Sequence, residues 1–136
     1  MGTTIFMIAS CGGAKKSETS KKEIIATIWQ LKSLNGVADS AYTLEGESFT
    51  LQFDTLTNKI GGMGACNRFM GEYSFAKGEN KLDLVMGGAT RMLCPNEELE
   101  QPFFTALNEV DTYHAANGEL ILTKGDETVM VLKAKS

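Results

Sequence analysis

From Thr27 onward, apolar residues recur mostly at every second position, the period of a strand with one buried face and one wet face. In "SFTLQFD", Phe49, Leu51 and Phe53 fall on one side, with Thr50, Gln52 and Asp54 on the other. "TLTN" reads as a turn in which Asn58 suits a positive φ, and "KIGGMGA" as the returning strand. Phe69, Gly71, Tyr73 and Phe75 alternate in the next segment, "KGEN" turns the chain, and Leu82, Leu84 and Met86 alternate in the one after. "ANGE", between "VDTYHA" and "LILTK", carries the Asn-Gly of a two-residue hairpin. The closing "ETVMVL" is apolar on both faces, which predicts a central or covered strand.

One segment departs from this period. "PNEELEQPFFTALNEV" spaces Leu99, Phe103, Ala106, Leu107 and Val110 as one face of a helix, with Asn96 as a cap and Glu97 and Glu98 at the positive end of its dipole. Pro102 lacks an N–H and crowds the turn before it, so the pattern predicts a short first turn and a restart near Pro102. Periodicity alone thus gives a mostly β fold with one helix.

The 136 residues are 43% hydrophobic and 22% charged, which fits one soluble domain with a tail. Lys15, Lys16, Lys21 and Lys22 against Glu18 and Glu23 give residues 1–23 a charge of +2 within a total of −4, so the body is acidic. Clustered cations for a phosphate backbone are missing, which argues against nucleic acid as a partner. At the front, "TIFMIASC" is apolar up to Cys11, and small residues Ala9 and Ser10 precede that cysteine as in a bacterial lipobox. The apolar run is short and lacks a leading Lys or Arg, as in a signal whose start lies upstream. Residues 1–23 are therefore read as a truncated lipoprotein signal and flexible tether, and 24–136 as the folded domain. No later stretch approaches the ~20 apolar residues that span a bilayer, so membrane attachment would come from lipid on Cys11.

"GGMGACNRFMGEYSF" and "ATRMLCP" hold the remaining candidate chemistry. The glycines lack the following helix and the Gly-Lys-Ser/Thr of a phosphate cradle, and instead suit a bulge or a close backbone approach. Cys66, Cys94 and His114 are too few for a four-ligand zinc site and lack Cys-x-x-Cys spacing. A Cys–His nucleophile would need His114, oriented by a group such as Asp111, beside Cys66 or Cys94. A Cys66–Cys94 disulfide leaves Cys11 for the anchor and suits an oxidising compartment; two reduced, buried thiols are the alternative. Arg68 and Arg91 could clamp a carboxylate or another anion, or instead pair with Glu72, Glu97 or Glu98 or lay a stem on Phe69. The seven methionines are expected mainly in core gaps.

"TIWQLKSLNG", "GGMGACNRFMGEYSF", "KLDLVMGGATRMLCP" and "FFTALNEV" together resemble the META domain family and its HslJ-like bacterial branch, over about Thr27 to Leu132. The family motif falls on Asn67, Arg68, Gly71 and Tyr73, then Thr90, Arg91 and Met92, and its cysteines fall on Cys66 and Cys94. The resemblance implies a curled, partly open, barrel-like antiparallel sheet with one packed helix. It also implies a bacterial envelope lipoprotein linked to heat shock and stress tolerance, anchored by Cys11 and facing the periplasm. No catalytic residue, metal or cofactor is expected, and the leading role is binding an envelope partner. In the second role, Met86, Phe103, Phe104 and Leu107 would line a cavity between helix and sheet for a small hydrophobic ligand or lipid.

Overall fold

The computed structural model describes residues 19–38, 49–75, 80–93 and 97–135, with the side chains of 37, 38 and 97–99 excepted. In chain order the elements are α1 (Lys21–Ala26), β1 (Ile28–Leu34), β2 (Val37–Ala38), β3 (Thr50–Phe53), β4 (Lys59–Met63), β5 (Arg68–Ser74), β6 (Asp83–Ala89), α2 (Glu97–Glu109), β7 (Thr112–Ala116), β8 (Glu119–Lys124) and β9 (Glu127–Ala134). All strand pairs are antiparallel, and the sheet runs β6-β5-β4-β3-β1-β9-β8-β7, with β2 beside β1. Irregularities at Leu31/Ser33, Met70/Gly71 and Leu122/Thr123 add local bend, which curls the sheet.

The curl brings the two ends of the sheet together without closing it. They touch at the Lys81–Thr112 bridge, where the Leu82 N–H donates to Asp111 O (3.1 Å) and the Tyr113 N–H to Asn80 O (2.9 Å). Farther along, α2 stands against β6, and the Met86 N–H donates to the Asn108 side-chain oxygen (2.9 Å). The core between helix and sheet is built from Trp29, Leu31, Leu51, Phe69, Phe103 and Leu107, among others, all at most 1% exposed. Phe103 packs edge-on against Phe49 and Phe69, at centroid distances of 5.4 and 5.9 Å.

The predicted alternation appears most cleanly in β5, where Phe69, Gly71 and Tyr73 are buried and Arg68, Met70, Glu72 and Ser74 are exposed. Asn117 and Gly118 take φ of 55° and 79°, as a two-residue hairpin requires, and β9 lies inside the sheet between β1 and β8. Three expectations need correction. Asn58 does not use positive φ; its turn is held instead by the Leu56 N–H on Asp54 Oδ1 and the Lys59 N–H on Thr57 Oγ1. Pro102 does not divide the helix: α2 runs on from Glu97 to Glu109 with Pro102 inside it, forfeiting one bond to the carbonyl of residue 98.

The third correction is a second helix, α1. Ser20 and Glu23 form a reciprocal capping box, Ile24 is fully buried, and the Trp29 Nε1–H donates to Ile24 O (3.0 Å). The boundary drawn at residue 23 therefore falls inside a helix. Among the methionines, Met130 is fully buried, Met63 and Met86 are half-buried, and Met70 and Met92 are exposed.

Candidate functional site

The turn between β4 and β5 owes its shape to glycine. A Cβ on Gly62 (φ +153°) would lie 2.1 Å from Thr50 O, and one on Gly64 would lie 2.7 Å from the Glu100 side chain and 2.9 Å from the Phe104 ring. Without those atoms α2 sets Glu100 directly over the turn. The Asn67 N–H donates to Glu100 Oε2 at 3.1 Å and the Cys66 N–H at 3.4 Å. The strand that follows is β5, not a helix, so the glycines serve close approach rather than phosphate binding.

Asn67, 3% exposed, is the hub. Its Nδ2 donates to Glu100 Oε1 (2.8 Å) and Met92 O (3.0 Å), and its Oδ1 accepts from Thr90 Oγ1 (2.9 Å) and the Met92 N–H (2.6 Å). An amide offers two donor and two acceptor sites, and all four are used. Thr90 Oγ1 also accepts from the Arg68 N–H (3.0 Å), while the Thr90 N–H donates to Arg68 O (2.9 Å). The side chain of Asn67 thus pairs with the Met92 peptide as a neighbouring strand would, extending the β5–β6 ladder past Ala89. Among the described residues, no buried side-chain nitrogen or oxygen is left without a partner.

The other motif residues serve the same scaffold. A Cβ on Gly71 would sit 2.2 Å from Val85 O, at the β5–β6 irregularity. Tyr73 donates its hydroxyl to Asp54 O (3.1 Å) and packs edge-on against Phe53; burial first, and the Asp54 charge second, push the phenol above its ordinary pKa. Arg68 and Arg91 are exposed, and the Glu72 suggested as a partner is paired with Lys59 at 3.1 Å. The side chains of Glu97 and Glu98 lie outside the described residues, as do Cys11, Cys94 and Asn96.

His114 is exposed on β7, and the Asp111 carboxylate accepts from the Gly125 N–H (3.0 Å) and the Thr112 hydroxyl (3.2 Å). The Gly125 bond, ahead of smaller effects from Thr112, Lys81 and Lys124, holds the Asp111 carboxyl below its usual range. No group of three or more His, Cys, Asp or Glu able to hold a metal occurs among the described residues. Of the suggested cavity residues, Phe103 and Leu107 are fully buried in the core, and Met86 and Phe104 are half-buried against it. Phe104 also lines a cleft of about 350 Å³ between α2 and the segment following β6, together with Asn67, Arg91, Leu93, Glu100 and Gln101. Glu100 is the residue that sequence reasoning missed. Its signal was a charge on the apolar face of α2, three, four and seven positions before Phe103, Phe104 and Leu107.

A family model described as META domain matches residues 22–136. The fold is similar to that of a DUF4847 family protein from Bacteroides vulgatus (TM-score 0.59, 11% identity, covering 83% of this chain and 94% of that one). It is also similar to a protein from Burkholderia xenovorans (TM-score 0.62, 22% identity, 83% and 84%) and to another protein solved by NMR (TM-score 0.59, 25% identity, 85% and 95%). No curated protein matches the chain.

Proposed function

The chain belongs to the META domain family, and from that premise we propose a non-catalytic binding module of the bacterial envelope, anchored by lipid on Cys11 and facing the periplasm, that engages a partner in support of stress tolerance. The observation that carries this reading is the saturation of Asn67. Asn67 and Thr90, which sequence alone leaves open to chemistry, spend their side-chain hydrogen bonds on each other, on Met92 and on Glu100, so they maintain a shape rather than poise a reaction.

The reading includes a Cys66–Cys94 disulfide. Asn67, the chain neighbour of Cys66, grips Met92, two residues before Cys94 in the sequence. Cys66 is engaged rather than free. Closing a loop of roughly 29 residues would add ~3.5 kcal/mol by chain-entropy arithmetic. A small hydrophobic ligand is the second reading, favoured only by the Phe104-lined cleft.

Expression of the Cys11→Ser variant in the source cell tests the anchored role. The protein should leave the membrane fraction and fail to restore stress survival, whereas full restoration by Cys11→Ser would overturn the reading. Mass spectrometry of the unreduced wild-type protein should show an acylated Cys11 and a linked Cys66–Cys94 peptide.

A further inference from the structure

A sheet that does not close has two edges, and unpaired edge peptides readily accept another strand. At the β7 edge, the Thr19 N–H donates to Ala115 O (2.9 Å), the Tyr113 N–H to Asn80 O (2.9 Å), and Lys81 bridges Thr112. At the other edge, the start of β6 is covered by the Leu82–Asp111 bond and by Asn108 on Met86. Beyond Met86 no further cover comes from the described residues, and Gly87 through Leu93 are all exposed.

This remaining stretch is held rigidly from one side. Thr90 and Met92 turn their peptide groups toward Arg68 and Asn67, so the intervening peptides face away. The N–H groups of Arg91 and Leu93 have no partner among the described residues. Leu93 is 90% exposed, and the 350 Å³ cleft beside it, with Phe104 and Gln101 on its far wall, offers room for side chains of an incoming segment.

Charge selects the occupant. The chain as a whole is acidic, yet Arg91 stands on this edge with no ion-pair partner among the described residues, and the Glu100 carboxylate in the cleft is already occupied by Asn67 and the Cys66 N–H. A second copy of this chain fits poorly, because an antiparallel pair centred on Arg91 would oppose two like charges. An acidic segment would be repelled by most of the surface and drawn here.

We propose that the Gly88–Leu93 edge is a strand-addition site for an extended, acidic segment of a partner protein, with a carboxylate meeting Arg91 and an apolar side chain entering the cleft at Phe104. The inference rests on the binding-module reading and names where such a module would bind.

The test uses the full chain, labelled with nitrogen-15, and two capped peptides of about eight residues, one alternating valine with glutamate and one alternating valine with lysine. The acidic peptide should shift the Arg91 and Leu93 amides and slow their hydrogen exchange at least about tenfold at saturation. The basic peptide should leave them unmoved, and Arg91→Glu, on an exposed side chain, should reverse the preference with the fold intact. No change at these amides with the acidic peptide overturns the proposal, and so does an equal response to both peptides. Equal shifts with vesicles of phosphatidylglycerol would overturn it in favour of an anionic lipid surface. Those results leave the anchored binding role to the Cys11→Ser experiment, which does not depend on this edge.

Discussion

Asn67→Asp keeps the shape of the side chain and reverses the polarity of one arm. The acceptor oxygen facing Thr90 and Met92 N–H is retained. The donor facing Glu100 Oε1 at 2.8 Å and Met92 O at 3.0 Å becomes an anionic oxygen set against two acceptors. The bond to the carboxylate is worth about 1.5–3 kcal/mol and the neutral one about 1, with roughly 1 more for the Met92 carbonyl left without its donor. The expected loss is therefore about 3–5 kcal/mol at neutral pH, a large share of a typical domain's stability.

The pH dependence has a definite sign. A carboxyl forced against another carboxylate holds its proton more tightly in the folded chain than the ~3.9 of an unfolded aspartate. The deficit is then full above the raised folded value and shrinks as pH falls through it toward that of the unfolded chain. Urea unfolding followed by Trp29 fluorescence at two pH values measures both effects. Pairing Asn67→Asp with Glu100→Gln restores a donor opposite the new carboxylate and should recover about 2 kcal/mol in a double-mutant cycle. An Asn67→Asp variant within ~0.5 kcal/mol of the wild type at neutral pH would show that the network carries no stability and refute the reasoning.

Gly62→Ala drives a methyl against Thr50 O and should cost several kcal/mol or prevent folding, whereas Gly88→Ala meets nothing within 4 Å and should stay within ~0.5 kcal/mol; thermal melts compare the two. Trp29→Phe removes the bond to Ile24 O and should cost about 1–2 kcal/mol, with faster hydrogen exchange in α1 than in the strands. The lowered Asp111 carboxyl stabilises the fold above the unfolded value near 3.9, a contribution lost as pH falls through the folded one, so Asp111→Asn should flatten the acid limb of the unfolding curve.

The parts of this fold legible in the sequence are those set by local pattern. Strand β5 alternates because its inner face meets the core, and Asn117-Gly118 turns because those residues accept positive φ. Helix α1 was legible too, since Ser20-Lys-Lys-Glu23 is a capping box ahead of Ile24, but its lysines blended with those of the preceding tail. The site was less accessible, because its determinants are long-range. Glu100 lies 33 residues from Asn67 along the chain, and only the fold brings its carboxylate to the β4–β5 turn. Nothing local distinguishes an asparagine that fills four hydrogen bonds from one that binds a ligand. The motif residues could be located from sequence, whereas their work as a clamp on Thr90–Met92 required the sheet register.

Residue-resolved hydrogen exchange across Thr90–Leu93 in the unmodified chain tests this clamp, and the edge it presents, most directly. The Met92 amide, held by Asn67 at 2.6 Å, should be protected like the core strands, while the Arg91 and Leu93 amides on either side exchange as freely as exposed loops. Fast exchange at all three amides would contradict the account, and uniform protection would show that the edge is already covered.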